Sequence, residues 1–412
     1  MKIQNLRIES LQDTIRVAAT VIWEDSERPT QEIFIATPKE FAGYLHPNPD
    51  SYLVGCMFPA IDHGEKRIKL EGAVCPELIE GINTAIEWFR QWYRPNWGTP
   101  RIESDVRSRP LAHPVFRSAS SFLSGGIDSL AMLRANHLTY PETHPMFIKH
   151  CFLVYGFGMG GSRIDYDKQT EAFMETATGL GDVARDAKVT LVPIYTNLRH
   201  LDDNLRFWNY VFHGAFLAAV AHSLLPLVHT MSIAASDAIT DISPWGSHPL
   251  IDPNFSSADL KIRHDGITYS RLAKVKLVGE WDVALRNLHV CSHIYKSMQT
   301  SPRVLNCGKC EKCVRTMAEL LAVGLLNKST GIFPSTELSK QLLIKAMRGI
   351  GSEEAYYREL VLPLRAQGRD DLVRPIKKTI LLSQIKRAIK RLCPKLFEPP
   401  WRSKWHLWRT RK

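Results

Sequence analysis

The chain has 412 residues, of which 44% are apolar and 23% charged, so it is long enough for two or three domains and has the composition of a globular protein. It has no apolar run of the roughly 20 residues that a membrane helix needs, and its first residues lack a secretory signal, so a cytoplasmic protein without a transmembrane segment is expected. The formal net charge of +11 comes from residues 372–412, which contain thirteen Lys or Arg and one acid, Glu398.

The first part of the chain alternates strand-like runs with turn residues. The pattern predicts strands at residues 15–23, 32–36, 52–58 and 67–71, and then a helix over residues 76–94 with Pro76 in its first turn. Residues 95–114 are rich in Pro, Arg and Ser and are predicted to be a linker. We therefore expect an N-terminal α+β domain over residues 1–110, which would dock a protein partner.

The next part alternates short apolar runs with helical patterns. Strands are predicted at residues 116–123, 147–154, 189–193 and 227–234, separated by helices at residues 129–136, 167–178 and 208–224. This alternation predicts an α/β fold with a doubly wound parallel sheet over residues 111–330. Helices at residues 314–326, 336–347 and 352–367 then predict a helical region over residues 331–371, followed by the basic tail.

The most specific short motif lies between the first strand of this sheet and its helix. It consists of Ser124, Gly125, Gly126, Ile127, Asp128 and Ser129. A helix N-terminus offers unpaired N–H groups to an anion, and Gly125 and Gly126 let the backbone approach phosphate closely. Ser124 and Ser129 add hydroxyl groups. The alternative is a Gly-Gly turn with an ordinary helix cap.

This motif resembles the SGGxDS signature of the PP-loop ATP pyrophosphatases. The resemblance implies an adenine nucleotide alpha hydrolase-like fold in which ATP is cleaved between its α and β phosphates. AMP is then transferred to the substrate and pyrophosphate leaves. It also implies that Asp128 holds Mg²⁺ and that Asp128 and Ser129 belong to the catalytic machinery.

Four of the eight cysteines fall within 23 residues of sequence. They are Cys291, Cys307, Cys310 and Cys313. Two successive C-x2-C steps bring three thiolates to one ion, and the preceding loop can return the fourth, which predicts a closed structural Zn²⁺ site. An iron–sulfur cluster is the rival, because short C-x2-C steps also bind cubane clusters.

Together, the two motifs resemble 7-cyano-7-deazaguanine synthase over about residues 116–320. The cysteine segment CGKCEKCVRT resembles that family's CGxCxxCxxR, with Arg315 one residue early. Residues 273–279 resemble the family's TKxEIVxxG, which implies a catalytic role for Lys274; a solvated helix lysine is the alternative. The segments that would contact the acceptor substrate differ from the family. One family motif is matched only by Tyr155 and Gly156. Two other motifs are replaced, one by Phe212-His213 and the other by residues 245–252.

Two further residues are predicted to belong to the ATP site. The resemblance implies Tyr155, which matches the family motif after the second strand. Asp237 follows the fourth strand, where a parallel sheet presents residues to a crevice, and is a candidate contact for Mg²⁺ or substrate. Asp237 fits a helix cap equally well. His213, His222, His229 and His248 share no ligand-like spacing, so a second metal site is not expected.

These observations predict an ATP-dependent ligase that adenylates a carboxylate, and the resemblance implies 7-carboxy-7-deazaguanine as the acid. An amine or ammonia would then form an amide, or a nitrile after a second ATP, or the acid would be joined to an amine of a partner protein. The chain is also similar to extended members of the group found in bacterial anti-phage operons. The alternatives are a tRNA-modifying PP-loop enzyme and a non-catalytic nucleotide-binding module.

The tail combines an apolar helix face with basic residues and tryptophans. The face consists of Ile376, Ile380, Leu381, Ile385, Ile389 and Leu392, and Trp401, Trp405 and Trp408 follow it. The pattern suits nucleic acid, an anionic membrane surface or an acidic partner groove. A helix that docks back on its own protein is the fourth interpretation.

Overall fold

The computed structural model describes residues 1–111, 117–161, 166–291, 306–348, 350–351 and 353–392. The chain divides into two compact units, Met1–Cys307 and Gly308–Lys412. The boundary that the sequence suggests near residue 110 lies inside the first unit. The tryptophans of the tail lie outside the described residues.

One ten-stranded sheet runs through the first unit, in the order β10-β9-β6-β7-β8-β3-β2-β1-β4-β5. Its strands are β1 (Lys2–Ser10), β2 (Thr14–Ile22), β3 (Gln31–Pro38), β4 (Arg67–Val74), β5 (Arg101–Val106), β6 (Ser118–Phe122), β7 (Ile148–Tyr155), β8 (Thr190–Thr196), β9 (Val228–Ala234) and β10 (Lys261–Asp265). Six of the nine pairings are parallel. The predicted α/β class with a largely parallel sheet is confirmed.

The described helices belong to both units. Those of the first unit are α1 (Pro49–Asp62), α2 (Pro76–Trp92), α3 (Ile127–Thr139), α4 (Tyr166–Asp186), α5 (Leu205–Phe207), α6 (His213–Ser223), α7 (Arg271–Gly279) and α8 (Asp282–Arg286). Those of the second unit are α9 (Glu311–Ala322), α10 (Lys340–Ala346), α11 (Glu354–Glu359), α12 (Val361–Ala366) and α13 (Asp370–Leu392).

The parallel part of the sheet reverses its winding direction next to β6. The chain moves from β6 outward to β7 and β8, then crosses back to β9 on the other side of β6. Because crossovers between parallel strands are right-handed, the two directions place their helices on opposite faces of the sheet. The loops after β6 and β9 therefore meet at a topological switch point, where open α/β sheets bind ligands.

The N-terminal strands extend this same sheet. Strand β3 pairs antiparallel with β8, and the hydroxyl of Thr37 donates to the carbonyl oxygen of Pro193 at 2.9 Å. The guanidinium of Arg107 joins the carboxylates of Asp50 and Asp259, at 2.8 and 2.6 Å. The N-terminal region is thus built into the same sheet.

The strand predicted at residues 52–58 is wrong, because these residues form the middle of α1. Pro49 occupies the first turn of this helix, and the side chain of Asn48 accepts a hydrogen bond from the backbone N–H of Asp50. Every residue from 50 to 61 is buried, so the helix has no polar face. The sequence therefore shows a short apolar run without helical periodicity, and such a run is typical of a buried strand.

Three strands of the sheet, β1, β5 and β10, were not predicted from the sequence. Strand β5 lies within the predicted linker and pairs with β4, and four of its six residues are polar or charged, which hides the alternation. Strand β10 is a short edge strand in which four of the five residues are charged or titratable. In β1 the register shifts between Gln4 and Arg7, where Asn5 has a φ of 60°, which breaks the two-residue period.

Two predicted helices are interrupted. The helix expected at residues 208–224 begins with a π-helical turn, Trp208–Phe212, before α6. The helix expected at residues 352–367 is divided into α11 and α12, which meet at Leu360. No helix among the residues described here combines the length and apolarity needed to cross a membrane.

Candidate functional site

The six-residue motif forms a tight loop between β6 and α3. Gly125 has a φ of 78°, a conformation that favours glycine, and Gly126 is the extended residue that precedes α3. The hydroxyl of Ser129 donates to the carbonyl oxygen of Gly126 at 3.1 Å and accepts from the backbone N–H of Ser124 at 3.2 Å. The loop is therefore closed by its own serines at the N-terminus of a 13-residue helix.

The loop is also fixed from outside. The backbone N–H of His289 donates to the carbonyl oxygen of Gly125 at 2.8 Å. This bond ties the loop to the chain segment that leads to Cys291. The dipole of α3 and the N–H groups of its first turn make this end of the helix suitable for an anion.

Two cations of α7 converge on the carboxylate of Asp128 in the first turn of α3. The Arg271 guanidinium donates to Asp128 Oδ1 at 3.0 Å, and Lys274 Nζ lies 3.7 Å from the same oxygen. The sequence reading identified Asp128 and Lys274 but missed Arg271. Arg271 precedes Lys274 by three residues, which places both on one face of a helix. This spacing is the sequence feature from which Arg271 could have been predicted.

Lys274 is an unusual lysine because it is 2% exposed. Its ammonium group donates to the carbonyl oxygens of Ala235 and Ser236, at 2.7 and 3.2 Å, in the loop that follows β9. Burial lowers the pKa of Lys274, and the carboxylates of Asp128 and Asp237 oppose this shift. Lys274 thus connects the loops after β6 and β9 at the switch point, so the solvated-lysine interpretation does not describe it.

The two other predicted ATP-site residues have different surroundings. Asp237 is half-buried and close enough to Lys274 to affect its pKa. Tyr155 is 4% exposed, and its hydroxyl lies 2.9 Å from that of Thr170 on α4. The ring of Tyr155 packs edge-on against Phe173, so this side chain serves the packing of α4 on β7.

The diverged acceptor-side segments come together around a buried carboxylate, Asp252. Asp252 Oδ2 accepts from the hydroxyl of Ser247 at 2.6 Å and lies 2.7 Å from Nδ1 of His264 on β10. A side chain on Gly214 would place its Cβ 2.6 Å from Asp252 Oδ1, so the helix α6 approaches this carboxylate only because residue 214 is glycine. Asp252 and His264 were missed because the residues that meet here are far apart in the sequence.

Five rings form what we call the aromatic group beside this carboxylate: Tyr93, Phe157, Tyr210, His213 and Trp245. Successive ring centroids are 6.3 Å apart for Phe157 and His213, 6.0 Å for His213 and Trp245, 4.8 Å for Trp245 and Tyr210, and 5.3 Å for Tyr210 and Tyr93. All five are partly accessible to solvent. Phe157 follows the carboxyl end of β7, so the group lies at the sheet edge that carries the six-residue motif.

The π-helical turn places two members of this group. The loop that contains Gly246 packs against this turn, because the backbone N–H of Gly246 donates to the carbonyl oxygen of Asn209 at 3.0 Å. A Cβ on Gly246 would lie 2.7 Å from Nδ1 of His213. Burial lowers the pKa of His213, which favours a neutral imidazole ring in this position.

The four predicted metal ligands are gathered in one place. The sulfur atoms of Cys291, Cys307, Cys310 and Cys313 all lie within 4.8 Å of one another, and the group can hold a metal ion such as zinc. Tetrahedral zinc with bonds of about 2.3 Å requires sulfur–sulfur separations of about 3.8 Å, which this group can reach by small movements. A cubane cluster binds each thiolate to a different iron and so spreads the thiolates further apart.

The backbone around the cysteines is built for this arrangement. The side-chain carbonyl of Asn306 accepts from the N–H groups of Val290 and Cys291, at 2.9 and 3.2 Å, and its amide donates to Leu288. Gly308 has a φ of 66° in the turn between Cys307 and Cys310. Asn306 therefore brings Cys291 next to the C-x2-C turns that are 16 residues away in sequence.

Comparison of the chain with protein-family models, with curated proteins and with solved structures found no match.

Proposed function

We propose that this protein is an ATP-dependent ligase that adenylates a carboxylic acid and releases pyrophosphate. The observation that carries the proposal is the convergence of Arg271 and the buried Lys274 on Asp128, at the N-terminus of α3 and at the switch point of the sheet. A buried lysine is energetically unfavourable and is retained mainly where its charge has a use. The resemblance of the motif beside it to the PP-loop signature supports the handling of ATP phosphates as that use.

Each part of this site has a place in the proposed chemistry. The N–H groups of the loop and the first turn of α3 would bind the β- and γ-phosphates, and Ser124 and Ser129 would keep the loop in shape. Asp128 would hold Mg²⁺, whose charge offsets that of the departing pyrophosphate. Lys274 and Arg271 would stabilise the negative charge that develops on the α-phosphate as the carboxylate oxygen attacks.

The aromatic group supports a planar heterocyclic acid as the substrate. Aromatic rings bind flat ring systems by stacking and edge contacts, and here they lie at the same sheet edge as the phosphate loop. 7-Carboxy-7-deazaguanine, the acid suggested by the resemblance, has this shape. Ammonia would then attack the acyl adenylate to give an amide and release AMP, and a second ATP could activate the amide oxygen so that its loss as AMP gives a nitrile. Alternatively, an amine of a partner protein would displace AMP and form an amide bond, in anti-phage defence.

Activity of this kind is tested by the products of ATP. With ATP, Mg²⁺ and 7-carboxy-7-deazaguanine, we expect AMP and pyrophosphate, measured by chromatography. Asp128→Asn should lower this rate at least about 100-fold, because it removes the charge that would hold Mg²⁺ and face the two cations of α7.

The matched control is Asp182→Asn, which neutralises an exposed carboxylate on α4 that pairs only locally with Arg185. Its rate should equal that of the wild type. ADP as the only nucleotide product would refute adenylation, and an active Asp128→Asn variant would remove Asp128 from the mechanism.

The acceptor side is tested separately by Trp245→Leu. This variant should raise KM for the acid at least about tenfold and leave KM for ATP unchanged, because it removes the central ring of the aromatic group. Trp88→Leu is the control, since Trp88 is a half-buried indole on α2 outside the group. Equal effects on both KM values, or none on either, would show that the aromatic group does not bind the acid.

The cysteine group is proposed to hold a structural Zn²⁺. Four thiolates leave a tetrahedral ion no open position for substrate, so the metal would stabilise the fold and take no part in adenylation.

A further inference from the structure

The last described helix, α13, carries two apolar faces on opposite sides. Its inner face is buried and consists of Leu372, Val373, Ile376 and Ile380. Its outer stripe consists of Leu381, Leu382, Ile385, Ile389 and Leu392, which are 41–82% exposed. The sequence had predicted one face that combined Ile376 and Ile380 with four residues of the outer stripe.

Helical geometry explains the difference. At about 100° per residue, the five residues of the outer stripe fall within an arc of about 100°, and the inner face is centred roughly on the opposite side. The inner side is held along most of the helix: Gln384 donates to the buried carboxylate of Glu354 at 3.3 Å, and Arg387 pairs with the same carboxylate. The interpretation that the whole helix docks back on its own protein is therefore correct for the inner face only.

The charges beside the outer stripe are all of one sign. Residues 377–392 contain six Lys or Arg and no acidic residue. Lys377 and Lys386 are exposed and lie on opposite flanks of the stripe, whereas Arg387 points inward to Glu354. An aliphatic stripe between lysines is complementary to a surface that is apolar inside and anionic outside.

We propose that the outer stripe of α13 binds the surface of an anionic lipid bilayer. The helix would lie in the headgroup region with its leucines and isoleucines among the acyl chains and its lysines near the lipid phosphates. The stripe is purely aliphatic and contains no ring on which a base can stack, so it is unsuited to nucleic acid. The helix would lie on the membrane without crossing it.

The test is flotation of the full-length protein with vesicles of phosphatidylcholine, alone or mixed with phosphatidylserine. Wild-type protein should bind the mixed vesicles, bind the neutral ones at least about tenfold less, and dissociate as salt increases. Leu381→Ser/Ile385→Ser/Ile389→Ser should lower binding to mixed vesicles at least about tenfold while the melting temperature is unchanged, because the inner face is intact.

Two further variants complete the test. Leu362→Ser removes an equally exposed leucine from α12 of the same unit and should bind like the wild type. Lys377→Glu/Lys386→Glu should lose at least about tenfold in binding to mixed vesicles and should keep its weak binding to neutral ones. This variant keeps the test decisive if the triple serine variant fails to fold.

Several outcomes would overturn the proposal. Wild-type protein that binds neither kind of vesicle would do so, as would a stripe variant that binds as well as the wild type. A dimer in light scattering that separates on serine substitution would assign the stripe to a second copy of the chain. Binding to DNA or RNA that the stripe variants lose, without any vesicle binding, would assign it to nucleic acid.

Discussion

Replacing Lys274 with methionine should abolish AMP formation and leave the protein at least as stable as the wild type. The ammonium group of Lys274 is buried, and burial of a charge is unfavourable unless its partners compensate. Methionine has a similar length and is apolar, so the variant avoids that desolvation and loses the bonds to two carbonyl oxygens and the ion pair with Asp128. Asp128 keeps Arg271 as a partner.

The rate should fall at least about 100-fold, because the group that would stabilise charge on the α-phosphate is gone. The two readouts are the rate of pyrophosphate release and the midpoint of urea unfolding. Lys276→Met is the matched control, because Lys276 lies on the same helix, is 63% exposed and pairs with Glu280. It should change neither readout.

A Lys274→Met variant that is strongly destabilised would show that this lysine is a structural residue. A variant that is stable and active would remove it from the catalytic machinery. Only a stable and inactive variant agrees with the proposed function.

Purified protein should contain about one zinc per chain, and Cys310→Ser should lose the metal together with much of its thermal stability. Metal binding and local folding are coupled at four-thiolate sites, so the loss should be among the largest from any single substitution. Cys310 is also the residue that precedes α9. Serine is a good residue at such a position, so lost capping cannot account for the destabilisation.

Metal content is measured by mass spectrometry and stability by thermal unfolding. Cys151→Ala is the control: it removes a buried thiol on β7 that lies outside the cysteine group, and it should keep the full metal content. A brown protein rich in iron would show that the cysteine group binds an iron–sulfur cluster and not zinc. A Cys310→Ser variant with wild-type stability and no metal would show that the group does not bind a structural ion.

The parts of this protein that its sequence determined are those that depend on neighbouring residues. The six-residue loop between a strand and a helix and the C-x2-C turns follow from local backbone requirements such as the positive φ of Gly125 and Gly308. The parallel sheet also followed from a local pattern, the alternation of buried strands with helices. Lys274 was found because its segment resembles a family motif, and its burial was not visible in the sequence.

Tertiary structure alone decided the features that join distant segments. Three features depend on contacts between segments that are not neighbours in the sequence. They are the contact of Asp252 with His264, the aromatic group, and the pairing of β3 with β8. Burial also changed the meaning of local patterns: α1 lost its polar face because it is surrounded, and β5 became a strand because β4 offers it a partner. In α13 the inner face was selected by the helices packed against it, which left the outer stripe exposed. The hydrophobicity of a residue determines whether its burial is favourable. Whether it is buried depends on the neighbouring elements that the fold packs against it.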